Sequence, residues 1–551
     1  MTRRAFDVGT DLRGGRTTSR VREAPRTRLA ALWVAAFAAV TLALVTHGAL
    51  EHPPTYDELL HVLAAEGLQR EGEPTIADGR YERALLYTRA AAAAGGVVDD
   101  GLLAARLPAW LGGLLLAALV AAWTARHAGA LAGAVAGGLL ATHLWTVNLA
   151  VFARFYTLHA LAVFVVFACL YEATRRDRAW TLRAVWLAAS LVPFAVAWHL
   201  QVTTAVAAGA VASGLAAGLA ADRRLPLQGW VGAHPWLAAA VLASAAMAGL
   251  AMLHAAGLLA TFADAPAWSA SAADRVGFYA VALAREMPLL WPLAPLAALL
   301  VCATRPRLGW TLAVATLAAL AVHSLAAAKA TRYVYYVLPW LCVLLGVAFA
   351  TAVPWLARQL VHRWPAVVRH AAALATAALL LPLAVSVDGL RSLRLALGVE
   401  PYSRVLSYGD ESDWTPARGV LQPAVDASAL VVTSNSMKAL HYLGRYDYEL
   451  NAGLLPETES REEFGRDPRT GRRVIASAAS LERVLGANVR PVLVVAENDR
   501  LGVAHGVLPE ALALLEDRCR RVAVPAAAGL SAWSCLRAQV PSAPPSGASS
   551  G

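Results

Sequence analysis

The sequence predicts a mainly α-helical, polytopic membrane protein of about eleven transmembrane helices, with a small α/β domain outside the membrane at its C-terminal end. Composition and the spacing of apolar runs carry that prediction. The chain is 58% hydrophobic and only 16% charged, with a mean hydropathy of +0.51, whereas soluble proteins carry about 25% charged residues. The deficit is concentrated in the middle, since residues 1–28 and 389–551 have the composition of ordinary aqueous protein.

A spanning helix needs about 20 mostly apolar residues. Runs that meet or approach this length lie at 29–50, 107–125, 128–147, 155–173, 184–200, 203–221, 235–258, 288–304, 309–327, 333–354 and 369–388. The first is preceded by a long basic stretch and ends at Glu51-His52-Pro53-Pro54 without a small-residue cleavage site. It therefore reads as a retained helix rather than a signal peptide.

The net charge of +10 follows the same organisation. With the basic tail 1–28 in the cytoplasm, every second connection is also inside. Those connections hold Arg126, then Arg175, Arg176, Arg178 and Arg183, then Arg223 and Arg224, then Arg305 and Arg307, and last Arg358, Arg363 and Arg369. Basic short inside loops are what membrane insertion selects, and this accounts for the charge without a nucleic-acid partner. Lys329 and Lys438 are the only lysines in a chain rich in Arg, Ala and Gly, which points to a GC-rich bacterial genome. The expected location is thus a bacterial cytoplasmic (inner) membrane, N-terminus in and C-terminal domain out.

That domain, at 389–540, contains the β-branched runs Val431-Val432-Thr433, Arg473-Val474-Ile475 and Val492-Leu493-Val494-Val495. Helical patterns at 436–444, 478–486 and 507–518 alternate with them, an α/β arrangement. Residues 541–551 are Pro/Gly/Ser-rich and expected to be disordered. Cys169, Cys302 and Cys342 fall in apolar spans, where an inert thiol is expected. Cys519 and Cys535 flank two short strand-like runs joined by Ala526-Ala527-Ala528-Gly529, which would bring them opposite one another and allow a disulfide outside the cytoplasm. No Cys/His spacing suggests a zinc or redox site.

The chemistry is concentrated in the first outer loop, 51–106. It opens with Pro53-Pro54-Thr55-Tyr56-Asp57-Glu58, and 58–70 is expected to form an amphipathic helix on the membrane surface through Leu59, Leu60, Leu63 and Leu68. Tyr81-Glu82-Arg83 follows, ahead of a small, apolar run from Ala84 to Gly96. Arg106, Arg154, His199, Lys329 and Arg332-Tyr333 map to the same outer side of the membrane. Cations at helix ends often only extend toward the headgroups. Several converging on two carboxylates instead form a site for an anionic lipid.

Tyr56-Asp57-Glu58, Tyr81-Glu82-Arg83, Ala105-Arg106-Leu107-Pro108, Ala153-Arg154-Phe155-Tyr156 and Arg332-Tyr333 with Leu338-Pro339, in this order and on this side, resemble the polyprenyl-phosphate-sugar-dependent GT-C glycosyltransferases. That branch includes the protein O-mannosyltransferases and the lipid A aminoarabinose transferase. The resemblance covers about 29–390. It implies an inverting transfer of a sugar from a polyprenyl-phosphate carrier to an acceptor hydroxyl on a glycan, lipid or protein. Asp57 matches the acidic residue of the first loop that serves as catalytic base or orients the acceptor, and Glu58 matches the companion acid of Asp-Glu members. Glu82-Arg83 matches the family's Glu-Lys pair, whose cation contacts the lipid phosphate and whose acid is an optional divalent-metal ligand, although the family's Lys is Arg here and its following Pro is Ala84. Arg332-Tyr333 matches the pair at the donor phosphate, and no other cofactor is implied.

Two other readings lead elsewhere. A lipid-linked-sugar transporter or flippase would place charges mid-span, and a non-catalytic scaffold would have no use for Asp57.

Overall fold

The structure is a computed structural model that describes residues 20–175, 177–222, 275–361, 387–399 and 412–536. The span expected at 235–258, that at 369–388 up to residue 386, the tail 541–551 and residues 1–19 of the basic tail lie outside the described residues.

Helix α1 (Arg20–Thr46) starts nine residues before the expected first span and leads into the outer loop. The loop folds as α2 (Tyr56–Glu71), a hairpin of β1 (Thr75–Ile76) and β2 (Gly79–Arg80), and α3 (Leu85–Gly95). The membrane helices continue as α4 (Gly101–Ala128), α5 (Ala130–Thr142), α6 (Leu144–Ala150), α7 (Tyr156–Ala173), α8 (Trp180–Leu200) and α9 (Thr204–Ala221). Then come α10 (Phe278–Glu286), α11 (Leu290–Thr304), α12 (Pro306–Leu325) and α13 (Leu338–Val361). Among the described residues seven helices are long and apolar enough to span a membrane, and nine spans result when two bent pairs are each counted as one.

Both bends modify the expected boundaries. The run at 128–147 breaks by 62° at His143, between α5 and α6. The run at 288–304 is α11 preceded by α10 at 102°, so part of the expected loop 259–287 is helical. Pro288 separates that pair: it lacks an amide hydrogen and disfavours helical geometry at Met287, whose φ and ψ are −126° and 61°. Close helix packing depends on small residues, as expected in lipid. At Gly214 and Gly218 of α9, any Cβ would collide with Thr311 of α12.

Helix α2 buries Leu59, Leu60 and Leu63 within the protein, where the leucine pattern predicted a lipid-facing stripe. Val62, Ala64 and Ala65 are buried along with Leu59, Leu60 and Leu63, in one cluster with Tyr81, Ala91, Ala105, Ala153 and Met437. The C-terminal domain supplies Met437 and covers a side of the helix that the sequence pattern assigned to lipid.

A connecting helix, α14 (Val387–Ala396), is tied to α5 by the hydrogen bond from Ser392 Oγ to the Thr142 carbonyl (2.6 Å). The C-terminal domain follows with α15 (Thr415–Ala427), β3 (Leu430–Thr433), β4 (Tyr448–Leu450), β5 (Arg473–Ile475) and α16 (Ala478–Gly486). It ends with β6 (Val492–Glu497), α17 (Pro509–Arg518), β7 (Arg520–Val522) and β8 (Leu530–Cys535). The strand order is β5-β4-β3-β6-β8-β7, parallel from β5 to β6 and antiparallel beyond. All of β6 is buried, as a parallel strand covered on both faces must be. Val431, Leu493 and Val495 pack toward α15, while Val432, Val492 and Val494 pack toward α16 and α17. Arg520 is opposite Ser534, which sets the preceding Cys519 against Cys535; the two form a disulfide with Cα atoms 4.4 Å apart.

Candidate active site

Pro53-Pro54 ends the approach to the loop, and Thr55 then caps α2. The Thr55 hydroxyl accepts the Glu58 amide hydrogen (3.2 Å), and the Glu58 carboxylate accepts that of Thr55 (3.0 Å), a reciprocal capping box. This fixes the first turn of α2, and with it Asp57.

The two adjacent acids have different surroundings. Glu58 is fully buried, with Arg106 donating to both carboxylate oxygens (2.8 and 3.1 Å) and the Ala153 amide donating to Oε1 (2.9 Å). Burial pushes its pKa up, but the Arg106 charge and these hydrogen bonds outweigh it and hold the carboxyl below its ordinary value. Asp57 is half-buried. No described residue donates a hydrogen bond to its carboxylate, whose nearest cations are Arg154 (3.9 Å) and Arg332 (3.8 Å). Here too burial raises the pKa, and Arg154, Arg332, Arg83 and Arg469 together reverse the effect, so the group is ionised at neutral pH.

Asp57 faces a cavity of about 610 Å³ that also exposes Glu82, Arg83, Arg154, Arg332 and Tyr333. Six of the site residues expected from sequence therefore converge. Glu58 does not reach the cavity, because Arg106 and the backbone occupy its carboxylate. His199 is at the end of α8, where Nε2 accepts the Leu86 amide hydrogen (3.1 Å), and it does not line the cavity. Lys329 is also outside it, buried, with Nζ donating to the Ala326 carbonyl.

Phe155 helps hold like charges together, with the guanidinium of Arg154 5.4 Å from its ring centroid and that of Arg83 at 5.7 Å. Arg154 also donates to the Asp57 carbonyl (3.0 Å) and the Tyr81 hydroxyl (3.2 Å). Arg83 is exposed and has no ion-pair partner among the described residues. After it, Ala84 takes a left-handed conformation (φ 52°, ψ 45°) and begins α3. Proline, fixed near φ −65°, cannot adopt this geometry, so the Ala at this position accompanies a local backbone unlike that of a Glu-Lys-Pro sequence. Behind the cavity, the buried ring of His61 meets Tyr81 and Tyr87 edge-on, at 5.1 and 4.8 Å between centroids. Burial, with added repulsion from Arg154 and Arg83, keeps His61 neutral.

Among the described residues no group of three or more His, Cys, Asp or Glu side chains could hold a metal ion. No step below passes through a metal site.

The far wall of the cavity belongs to the C-terminal domain, through Ser434, Asn451, Leu454, Glu457, Pro468, Arg469 and Arg500. Ser434 follows β3, Asn451 follows β4 and Arg500 lies just beyond β6. The cavity therefore meets the carboxyl ends of the parallel strands, where open α/β sheets bind ligands. Sequence reasoning missed these residues. Thr433-Ser434-Asn435, at the end of a β-branched run, was the one signal available.

No family model and no curated protein matches the chain in sequence. Solved structures match it in shape. ArnT from Cupriavidus metallidurans, in the apo state and bound to undecaprenyl phosphate, aligns with a TM-score of 0.59 and 17% identity in both cases. The alignments cover 92% and 91% of this chain and 98% of ArnT. The archaeal oligosaccharyltransferase AglB from Archaeoglobus fulgidus, in complex with an inhibitory peptide and a dolichol-phosphate, aligns with a TM-score of 0.54 and 12% identity. That match covers 84% of this chain and 69% of AglB. Helix bundle, outer loop and C-terminal domain together have the fold of the GT-C glycosyltransferases.

Proposed function

We propose that this chain is an inverting glycosyltransferase that moves a sugar from a polyprenyl-phosphate carrier to an acceptor hydroxyl at the outer face of a bacterial inner membrane. The carrying observation is Asp57: an ionised carboxylate that accepts no hydrogen bond from a described residue and faces a cavity lined by arginines. The solved structures of ArnT with undecaprenyl phosphate and AglB with dolichol-phosphate support a polyprenyl-phosphate ligand for the arginine side.

In this mechanism Arg83, Arg154 and Arg332 bind the phosphate of the donor, where charge-assisted, forked contacts are strongest. The acceptor oxygen attacks the anomeric carbon as the bond from that carbon to the phosphate oxygen breaks. The bonding pair leaves with the phosphate, and the arginines stabilise the charge that builds there. Asp57 takes the acceptor proton, and its negative charge stabilises the oxocarbenium-like sugar. A single displacement inverts the configuration without a covalent enzyme intermediate. Glu58 serves as a positioning residue, holding the Asp57 turn against Arg106.

The test is mass spectrometry of cell-envelope glycans and glycolipids from strains with the gene, without it, and with Asp57→Asn in its place. A sugar modification present only with the wild-type gene is the expected result. Restoration of that modification by Asp57→Asn would remove Asp57 from the chemistry.

A further inference from the structure

Besides the packing of Met437 on α2, the C-terminal domain meets the outer loop through one short polar segment, residues 467–472. The segment is a tight turn: Asp467 N–H donates to the Arg472 carbonyl (2.8 Å), and Gly471 N–H donates to the Asp467 carbonyl (2.7 Å). Within it, Arg469 Nε donates to Asp467 (2.9 Å) and Nη1 pairs with Glu457 (3.0 Å). The turn thus has a defined shape before it meets the membrane domain.

It touches the loop in two places. Arg469 stands 5.9 Å from the ring centroid of Tyr56, the residue preceding Asp57. The Tyr56 hydroxyl is enclosed where the charges of Arg469, Glu449 and Asp467 act on it. The second contact is the β1–β2 hairpin. The Asp78 amide donates to the Thr470 carbonyl (2.9 Å), and the Asp78 carboxylate pairs with Arg472 (3.0 Å). The backbones meet so closely that a Cβ on Gly79 would lie 2.6 Å from the Arg469 carbonyl carbon, and one on Gly471 would lie 2.7 Å from that of Asp78. Gly471 also has φ +69°, which side chains rarely adopt.

Each contact immediately precedes one of the catalytic elements in sequence. Tyr56 is adjacent to Asp57, and Gly79 is followed directly by Arg80, Tyr81, Glu82 and Arg83. We infer that segment 467–472 is a positioning clamp for the active site, fixing Asp57 through Arg469 and Tyr56 and fixing Arg83 through Gly471 and Gly79. The inference rests on the function proposed above for its catalytic meaning, whereas the clamp itself is a mechanical claim. It assigns the C-terminal domain a role in aligning base and phosphate-binding cation, beyond covering the cavity.

Gly79→Val forces the two backbones apart without substituting any cavity-lining residue. The full-length protein in lipid nanodiscs would be followed by hydrogen exchange and by binding of undecaprenyl phosphate. The expected result is faster amide exchange in 56–62 and 81–88 with unchanged protection in β3 and β6. Undecaprenyl phosphate should bind roughly tenfold more weakly, as expected when Arg83 gives up a charge-assisted contact. A charge reversal gives a rescue that generic destabilisation would not. Asp78→Arg should reproduce both effects, and Asp78→Arg with Arg472→Asp should restore them. Unchanged exchange in 56–62 and 81–88 overturns the clamp, and so does failure of the reversed pair to rescue. If Gly79→Val also strips protection from β3 and β6, the charge-reversal pair decides alone. A wild-type protein that does not bind undecaprenyl phosphate would sink the proposed function, while the exchange measurements would still judge the clamp.

Discussion

Glu58 and Arg106 form an ion pair of 2.8 Å with neither side chain exposed to solvent. Arg106 goes on to donate to the carbonyls of Leu50 (2.6 Å) and His52 (2.8 Å), and Glu58 accepts from Ala153 (2.9 Å). One buried node thus joins the end of α1, the first turn of α2, the outer part of α4 and the segment carrying Arg154. Removing one partner strands the other's charge in a dry site, at a cost of about 3–5 kcal/mol. Arg106→Met and Glu58→Leu should each lower the thermal unfolding midpoint sharply in detergent. The double variant should lose much less than the two losses combined. Additive losses would show that the two side chains act independently.

Asp57 and Arg332 give a prediction about pH. A base must be ionised, so transfer should fade as pH falls through the Asp57 pKa, which its cations hold below the usual value. Arg332→Gln removes one of those cations. The Asp57 pKa then rises, and the acidic limb of the pH–rate profile moves to higher pH. A limb that does not move would assign it to another group.

Arg83 should affect donor more than acceptor. Its guanidinium is exposed in the cavity with Phe155 beneath it and no carboxylate partner among the described residues. Arg83→Ala should weaken polyprenyl-phosphate binding by about 1.5–3 kcal/mol, roughly ten- to hundredfold. Calorimetry in detergent with undecaprenyl phosphate measures this directly, and an unchanged affinity would place the phosphate elsewhere.

The features that could be read from the sequence depend on local pattern. Apolar length gave the spans among the described residues, the Tyr56-Asp57-Glu58 and Tyr81-Glu82-Arg83 segments gave five of the residues that line the cavity, and strand–turn–strand spacing put Cys519 near Cys535. What could not be read depends on tertiary docking. Glu58 and Asp57 are neighbours of the same chemical type, and only Arg106, 48 residues away from Glu58 in sequence, separates a structural role from an exposed one. Helix α2 has a surface-helix leucine pattern, yet Met437 arrives from the C-terminal domain and buries it. Arg469 and Arg500 carry no motif, because their place in the cavity comes from sheet order. The helix α15 and the strand β4 were also missed: α15 begins at Thr415-Pro416, and β4 spans only three residues.

The Cys519–Cys535 disulfide closes a loop with a sequence separation of 16 residues. Constraining a loop of that size in the unfolded chain contributes about 3 kcal/mol. Cys535→Ser should therefore lower the unfolding midpoint of the C-terminal domain, and reductant should do the same to wild type but not to the variant. Equal midpoints for wild type with and without reductant would mean that the bond does not form in the cell.

Glu449 supplies a second pH effect, separate from catalysis. It is buried on β4, and no described residue hydrogen-bonds its carboxylate in good geometry. Burial is the main cause that pushes its pKa from 4.5 to about 7; Ser436 and Arg469 oppose this, and the charge of Asp467 adds to it. A carboxyl whose folded-state pKa is raised keeps its proton in the folded domain after the unfolded chain has released it. Stability from this group is therefore complete below pH 4.5, falls as pH rises toward 7, and is lost above. The difference corresponds to roughly 3 kcal/mol. Glu449→Gln retains the size of the side chain and removes the titration. At pH 5 the variant and wild type should unfold at similar temperatures, and by pH 8 the variant should be clearly the more stable. Thermal unfolding of the full-length protein at both pH values measures the gap. A gap that stays constant between pH 5 and 8 would show that Glu449 does not change its protonation there. Glu449 also acts on Tyr56, so a wild-type-specific rise in hydrogen exchange at 56–62 above pH 7 would show its ionisation reaching the Asp57 turn.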